Sequence, residues 1–513
     1  MTTFVEIAVN VPQVRGVFHY HLPPEMEGRV AIGHLVAVPF GRQTVQGVVL
    51  GFVDQPALAE TRPVLELIDA QAVLTVQQLA LARILAEETL SPLAACIDLM
   101  LPAGLAQRTE AVYAIQGDDP GDLTGVAQRL WRLLQRRGAL RAGQIERSMP
   151  RLDWQASAER LVRRGLLSRQ SVLPPPRVRP KYLRSAQLAC APEEALARLS
   201  QIRHRDAVVL DRRLAILRFL AGEPGPVDVT WVYAASGGNL RDLQFLSEHD
   251  LIVLGESEVW RDPLRELDFQ PSQPPALTQD QVQVWSAVQA QLQAARGGKA
   301  SQPLLLHGVT GSGKTEIYLR AVAETLQSGR QAIVLVPEIA LTPQTVRRFA
   351  GRFPGLVGLV HSGLSEGERY DTWRRARLGL LKVVVGPRSA LFTPFPDPGL
   401  IVIDECHDDS YYQTEVSPYY DARQAAVAYA RLAGAACLFG SATPDVSHIE
   451  LCRKGQWRYL RLPARILAHR QVIQAHLERL GASASNYRPF EGEAETTDLP
   501  RPDAPPGIVF FVG

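Results

Sequence analysis

Residues 308–315 read GVTGSGKT: Gly308, Val309, Thr310, Gly311, Ser312, Gly313, Lys314 and Thr315. Glycines at the first and sixth places let main-chain N–H groups turn inward around phosphate oxygens, and a helix starting there adds partial positive charge. The Lys314 ammonium would reach the β and γ phosphates, and the Thr315 hydroxyl would ligate magnesium. A glycine turn can also be empty of ligand. Here the lysine, the hydroxyl, a preceding apolar run (LLLHG) and a following helical pattern occur together, so the stretch predicts a nucleoside triphosphate site. Turnover needs a second element, a carboxylate at the end of a neighbouring strand, and the run LIVIDECH supplies it. Asp404 is expected to hold magnesium and Glu405 to polarise the attacking water. Two acids directly after four apolar residues fit a strand's carboxyl end better than a solvated surface. A third run, GSATP at 440–444, again follows an apolar strand. Its Ser441 and Thr443 are placed to sense the Asp404 region and relay phosphate state.

These residues need a frame. The apolar runs LLLHG, AIVLVPE, LKVVVGP, LIVIDE and ACLFGS alternate with helical segments. Near-continuous apolar strands separated by helices predict a parallel sheet covered on both faces, a RecA-like P-loop lobe over about 266–465. The segment FQPSQPPALT marks the linker ahead of it. Residues 1–105 carry short β-rich runs with turn punctuation (FVEIAVNVP, GVFHYHLP, HLVAVPFG, QGVVLGFV), a small β-domain followed by a helix around 77–88. Between them, 106–265 is helical and Arg-rich. Two stretches there share one outline, helix, turn, helix, then a helix ending near an apolar strand pair, which is the order of a winged helix. Tandem winged-helix units are therefore expected at about 125–185 and 205–262. The fold class is multidomain α/β, with residues 466–513 expected to start a second lobe that is cut short.

Composition bounds the function. The 513 residues, 46% of them apolar, suffice for several cores, and three or four domains are expected. The net charge of +2 hides an imbalance: residues 125–184 hold fifteen Arg plus Lys against three Asp plus Glu. An excess so lopsided marks a polyanion site more often than a solvated face. Winged helices also serve as spacers, and only the first expected unit has this excess. The five cysteines are dispersed with no C-x-x-C pair, which argues against a disulfide framework and a zinc ribbon. No basic leader precedes the strand-like MTTFVEIAVNVP, and no apolar run reaches membrane-spanning length, so a soluble, cytoplasmic chain without membrane contact is expected.

Taken in order, GSGKT, VPEIALTPQ, GPRSALF, DECH and GSATP resemble the first motor lobe of superfamily 2 helicases. With LTQDQ ahead of that lobe, a tyrosine-rich loop after DECH, and GVFHYHLP and VPFGR near the amino terminus, the chain is similar to the PriA (primosomal protein N′) family of replication-restart helicases over about residues 4–495. The resemblance implies an ATP-dependent 3′-to-5′ DNA helicase that binds stalled or D-loop forks and initiates primosome assembly. It implies ATP and Mg²⁺ as cofactors, forked and single-stranded DNA as partners, and contacts with primosome proteins and single-strand-binding protein. By the same resemblance Gln281 reads adenine, and His407 joins Lys314, Asp404 and Glu405 in the catalytic set. Arg388 and Ser389 contact single-stranded DNA or order the acidic motif. The loop at 408–423 couples strand binding to hydrolysis through Tyr411, Tyr412, Tyr419, Tyr420 and Arg423, its rings stacking on unpaired bases. Phe18, Gly41 and Arg62 fall in the pocket that holds a nascent 3′ end.

The chain departs from the family in four ways. His19 follows Phe18 where the family has aspartate, Cys406 stands inside the acidic motif, and Tyr412 and Tyr419 replace basic residues. The fourth departure is the carboxyl end. The family continues into a zinc-binding insertion of paired C-x-x-C motifs and a second lobe with arginine fingers, neither of which is in this chain, so it reads as truncated and without zinc ligands. An arginine finger is worth about 10³ to 10⁵ in rate. The alternative expectation is therefore a fork-binding fragment that binds nucleotide and hydrolyses it weakly.

Overall fold

The computed structural model describes residues 2–466 apart from 12, 13, 15, 42, 103, 108, 118–122, 175, 203–205, 266–270, 299 and 300. All but the first residue of the expected second-lobe segment, 466–513, lies outside the described residues. The chain divides into two compact units, residues 178–262 and the remainder.

The larger unit begins with a sheet of β1 (Phe4–Val9), β2 (Phe18–His21), β3 (Leu35–Phe40), β4 (Gln43–Val53), β5 (Arg62–Pro63) and β6 (Glu66–Leu67), in the order β5-β2-β1-β4-β3-β6. Val5, Ile7, Val9, Val36, Val38, Val45 and Val49 form its core, β-branched residues suited to a pleated buried face. Helices α1 (Val76–Glu88) and α2 (Leu93–Asp98) follow. A reciprocal capping box between Thr75 and Gln78 starts α1. The fully buried Gln78 also donates from Nε2 to the Phe392 carbonyl at 2.9 Å, tying this domain to the P-loop lobe.

Next come β7 (Glu110–Ile115), α3 (Gly125–Arg137), β8 (Leu140–Arg141), α4 (Ala142–Ser148), α5 (Trp154–Arg163) and β9 (Leu167–Val172). The second compact unit contains β10 (Lys181–Leu188), α6 (Pro192–Gln201), α7 (Ala207–Ala221), β11 (Val227–Asp228), α8 (Val229–Ser236), α9 (Leu240–Glu248) and β12 (Ile252–Val259). Their sheets have one plan: order β8-β7-β9 in the first and β11-β10-β12 in the second. In each, the central strand precedes the helices and pairs antiparallel with the strand that follows them. This differs from the expected outline, in which a pair of strands closes each unit. β9 and β10 read as such a pair in sequence, yet β9 bonds back to β7 and β10 forward to β12. The repeated unit therefore starts earlier than helical periodicity suggests, because that periodicity is blind to which strand fills the sheet's middle.

The P-loop lobe comprises α10 (Gln279–Arg296), β13 (Leu304–Gly308), α11 (Lys314–Gln327), β14 (Gln331–Leu335), α12 (Pro343–Arg352), β15 (Val357–Leu359), α13 (Glu366–Arg377), β16 (Val383–Gly386), β17 (Pro398–Ile403), α14 (Ala422–Ala433), β18 (Ala436–Ser441), α15 (Val446–Arg453) and β19 (Arg458–Leu462). Its seven strands are all parallel, in the order β15-β16-β14-β17-β18-β13-β19. β14, β17 and β18 are buried along their whole length, as a sheet covered on both faces requires. Leu304, Leu306, Val322, Val334, Val402 and Leu438 lie at the centre of the core.

Candidate functional site

The P-loop strand and the acidic strand are not direct neighbours. β18 lies between β13 and β17, which corrects the expectation of adjacent strands. Register still brings the three carboxyl ends level, with His307 opposite Ser441 and Ile403 opposite Phe439. The glycine-rich turn after β13, the acids after β17 and the hydroxyls after β18 thus share one rim, where ligands gather in open α/β sheets.

At the turn, Gly311 and Gly313 hold φ of 82° and 86°, a left-handed conformation that a side chain would strain. Gly313 is the cap from which α11 starts. A Cβ on Gly308 would lie 2.5 Å from the Ser312 hydroxyl, so the cradle has no room for one. Ser312 is buried and its hydroxyl oxygen has no hydrogen-bond partner. Lys314, 7% exposed, donates to the Gly308 carbonyl at 2.8 Å, and its ammonium is 3.6 Å from Glu405 Oε1. Val309 and Thr310 complete the turn, and Thr315 lies half-buried in the first turn of α11. An unpartnered buried hydroxyl, a turn with two left-handed glycines and a buried ammonium beside two acids fit a magnesium-bound triphosphate.

Gln281 is where a base reader is expected, and the structure engages both ends of its carboxamide. Oε1 accepts from Thr278 N at 3.1 Å in a capping box at the start of α10, and Nε2 reaches the Gly313 carbonyl at 3.4 Å. At 2% exposure its visible task is to brace the turn.

Asp404 is held from several sides. Its Oδ1 accepts from the Tyr318 hydroxyl at 2.9 Å and from Glu405 N at 3.0 Å, while its carbonyl accepts from the Tyr411 hydroxyl at 2.6 Å. Burial, and after it the Glu405 charge, push the Asp404 carboxyl up to about 6; the Tyr318 hydrogen bond and Lys314 act against that rise. Glu405 sits at φ 43°, a left-handed backbone uncommon for a side-chain-bearing residue and often met at functional sites. His407 lies 3.6 Å from Glu405 and shares a 2.8 Å hydrogen bond with the Ser441 hydroxyl, whose oxygen also accepts from Thr443 N at 2.9 Å. The acidic and GSATP segments are thereby joined. Cys406 is fully buried, and burial pushes its thiol up to about 12, so it packs as a small apolar group.

The tyrosine-rich loop is divided. Tyr412 and Tyr419 are 44% and 53% exposed, but Tyr411 and Tyr420 are 0% and 3%. Stacking expected of four rings is therefore open to two, because Tyr411 points inward to Asp404 and Tyr420 packs on Phe392. Arg423, expected to contact DNA, instead grips Asp421 through Nε at 2.9 and 3.1 Å and the Cys406 carbonyl at 3.1 Å, with Asp445 3.6 Å away. Arg388 donates to the Ser410 and Tyr412 carbonyls at 3.0 and 3.3 Å, ordering this loop, while Ser389 beside it is exposed. Sequence reasoning missed Tyr318 and Gly440. The only signal available was a glycine inside a fully apolar strand, which marks a close approach.

In the β-domain, Arg62 donates to the Gly41 carbonyl at 2.8 Å, and Phe18 meets Phe40 edge-on with ring centres 5.0 Å apart. The three expected pocket residues are thus brought together, although β2 and β5 lie at one end of the strand order and the β3–β4 turn lies towards the other. His19 is committed to Ala57 N at 2.8 Å.

The lobe and its rim define a P-loop domain of the helicase class: the DEAD/DEAH box helicase family matches residues 279–451, and the 3′ DNA-binding domain of PriA matches residues 6–102. Two relatives, both replication restart protein PriA, match nearly the whole chain. That of Bacillus subtilis is 33% identical over 92% of this chain, and that of Synechocystis 34% over 90%. The chain belongs to the PriA replication restart family. It spans 57% and 54% of those two relatives' lengths. Among the described residues, no helix is long and apolar enough to cross a membrane.

Proposed function

We propose that the chain is the ATP-dependent 3′-to-5′ DNA helicase part of a cytoplasmic replication-restart protein, binding stalled or D-loop forks and initiating primosome assembly. One observation carries the reading: the Lys314 ammonium and the Glu405 carboxylate lie 3.6 Å apart on a rim whose glycine turn has a buried, unpartnered hydroxyl. Lys314 and the main-chain N–H groups of 308–315 hold phosphate oxygens. Thr315 and Asp404 hold Mg²⁺, which neutralises charge on the transferring phosphoryl group when bound. Glu405 takes the proton of the attacking water, with His407 fixing its direction from the GSATP side. Phe18, Gly41 and Arg62 receive the 3′ end of a nascent strand, and exposed Tyr412 and Tyr419 stack on unpaired bases.

The two repeated helical units, 125–185 and 205–262, act in this reading as winged-helix modules. The Arg-rich first one tracks the phosphate backbone. Primosome proteins and single-strand-binding protein are the proposed protein partners, by likeness to the family. The test is ATP turnover by the purified 513-residue chain with forked DNA carrying a 3′ leading-strand end. Stimulated turnover absent from Lys314→Ala supports the reading. Turnover no higher than that of Lys314→Ala leaves a nucleotide-binding fork scaffold, and indifference to the 3′ end removes the restart assignment.

A further inference from the structure

We propose that Tyr318 is a positioning residue for the magnesium-binding acid, fixing which oxygen of Asp404 is presented to the cation. This rests on the nucleotide reading above and adds a residue to which that reading assigns nothing. Tyr318 lies one helical turn beyond Lys314 on α11 and is 1% exposed. A phenylalanine would fill the same volume, so the hydroxyl needs its own explanation. A phenol buried this deeply is costly unless paired. Its partner is Asp404 Oδ1, which also takes the Glu405 amide. Two donors converging on one carboxylate oxygen stop the carboxylate from rotating and leave Oδ2 as its free end. A neutral donor does this without neutralising the charge that attracts a cation, which a lysine or arginine in the same place would do.

Gly440 supplies an independent observation. It sits in β18, every residue of which is buried and where a β-branched side chain is the ordinary choice. A Cβ there would lie 1.6 Å from the Tyr318 hydroxyl oxygen and 2.7 Å from Cζ. The strand is kept bare at the point where the hydroxyl passes on its way to Asp404. A glycine inside a strand is destabilising relative to alanine, and the close approach accounts for its presence. The pair also crosses the sheet's order: α11 follows β13, Asp404 follows β17, and Gly440 is on the strand between.

The test is binding of a fluorescent ATP analogue to the full chain, titrated with Mg²⁺ and repeated in EDTA. In Tyr318→Phe the half-saturating Mg²⁺ should rise about tenfold or more, the loss expected for a hydrogen bond to a charged group. Nucleotide binding in EDTA should stay at the parent value. Gly440→Ala should shift Mg²⁺ dependence the same way by displacing the ring; should it fail to fold, Tyr318→Phe decides alone. A folded Tyr318→Phe with parental Mg²⁺ half-saturation overturns the inference while leaving nucleotide binding intact, even if its melting temperature falls. A parent chain that binds no nucleotide in either condition overturns the site reading, and this inference with it.

Discussion

Arg423, a residue expected to touch DNA, is tied within the chain to Asp421, the Cys406 carbonyl and Asp445. Its guanidinium, 14% exposed, shares its Nε–H between the two oxygens of Asp421, which is 17% exposed, and donates from Nη1 to the Cys406 carbonyl, next to Glu405 in the chain. Asp421 in turn caps α14 by accepting from Arg423 N at 2.8 Å. Truncation to alanine strands a largely buried carboxylate and a buried carbonyl. Breaking a buried pair costs about 3–5 kcal/mol, and the residual exposure of both groups places this one near the lower end, about 3 kcal/mol. For a lobe of about two hundred residues, where each kcal/mol moves the midpoint about 2–4 °C, the motor transition should fall by roughly 6–12 °C. Arg423→Lys keeps the charge but cannot hold Asp421 and the Cys406 carbonyl with two rigidly spaced nitrogens, and should recover about half of that. The assay is differential scanning of each variant beside single-strand binding over a salt series. A phosphate contact on single-stranded DNA contributes about 0.7 to the slope of log affinity against log salt. A structural Arg423 leaves that slope unchanged. A variant that melts with the parent but loses about 0.7 of slope refutes this account and restores the DNA assignment.

The tyrosine loop separates in the same experiment. Tyr412→Ala and Tyr419→Ala should each weaken single-strand binding by about 1–3 kcal/mol at unchanged stability. Tyr411→Ala and Tyr420→Ala should lower stability by about 3–5 kcal/mol, read by urea unfolding, as cavities left by buried rings do. The β-domain should weaken in acid through His34, 5% exposed, whose Nδ1 accepts from Ala31 N and whose imidazole burial pushes below its usual range. A depressed histidine binds fewer protons folded than unfolded, so stability is full above about pH 6.5 and lost as pH falls below it. His34→Asn should flatten that dependence in denaturant titrations of the domain's transition, and an unchanged acid slope refutes it.

What the sequence disclosed follows from how each piece of chemistry is built. Phosphate is gripped by consecutive main-chain amides, so GVTGSGKT had to be contiguous and was legible from residue types alone. The acidic pair was legible because four apolar residues end on it. Pairings between distant segments were not. Tyr318 and Gly440 meet only because β18 inserts between β13 and β17, and strand order leaves no mark on hydrophobic period. Likewise β7 and β10 fill the middle of sheets whose helices come later, so each repeat was read as starting too late. Gln281 and Arg423 make bracing contacts that their residue types did not disclose, for a shared reason. Both are polar residues beside a binding motif, where a side chain that braces the loop and one that touches ligand have the same composition.

The aromatic loop shows why that distinction matters to mechanism. Exposure alternates along its turn, with Tyr412 open and Tyr411 closed. Arg388 holds the main chain on both sides of Tyr411, through the Ser410 and Tyr412 carbonyls, and the Tyr411 hydroxyl holds the Asp404 carbonyl. A base stacked on Tyr412 therefore loads a peptide one residue from the group that fixes the backbone of Asp404, while Tyr318 fixes the same residue's carboxylate from the P-loop helix. In the proposed function, strand contact and nucleotide contact thus converge on one aspartate by two hydroxyls of different origin. Removing the Tyr411 hydroxyl alone should then uncouple strand binding from turnover while leaving the Mg²⁺ dependence set by Tyr318 in place. A Tyr411→Phe chain that keeps the parent's ratio of DNA-stimulated to basal turnover breaks that link.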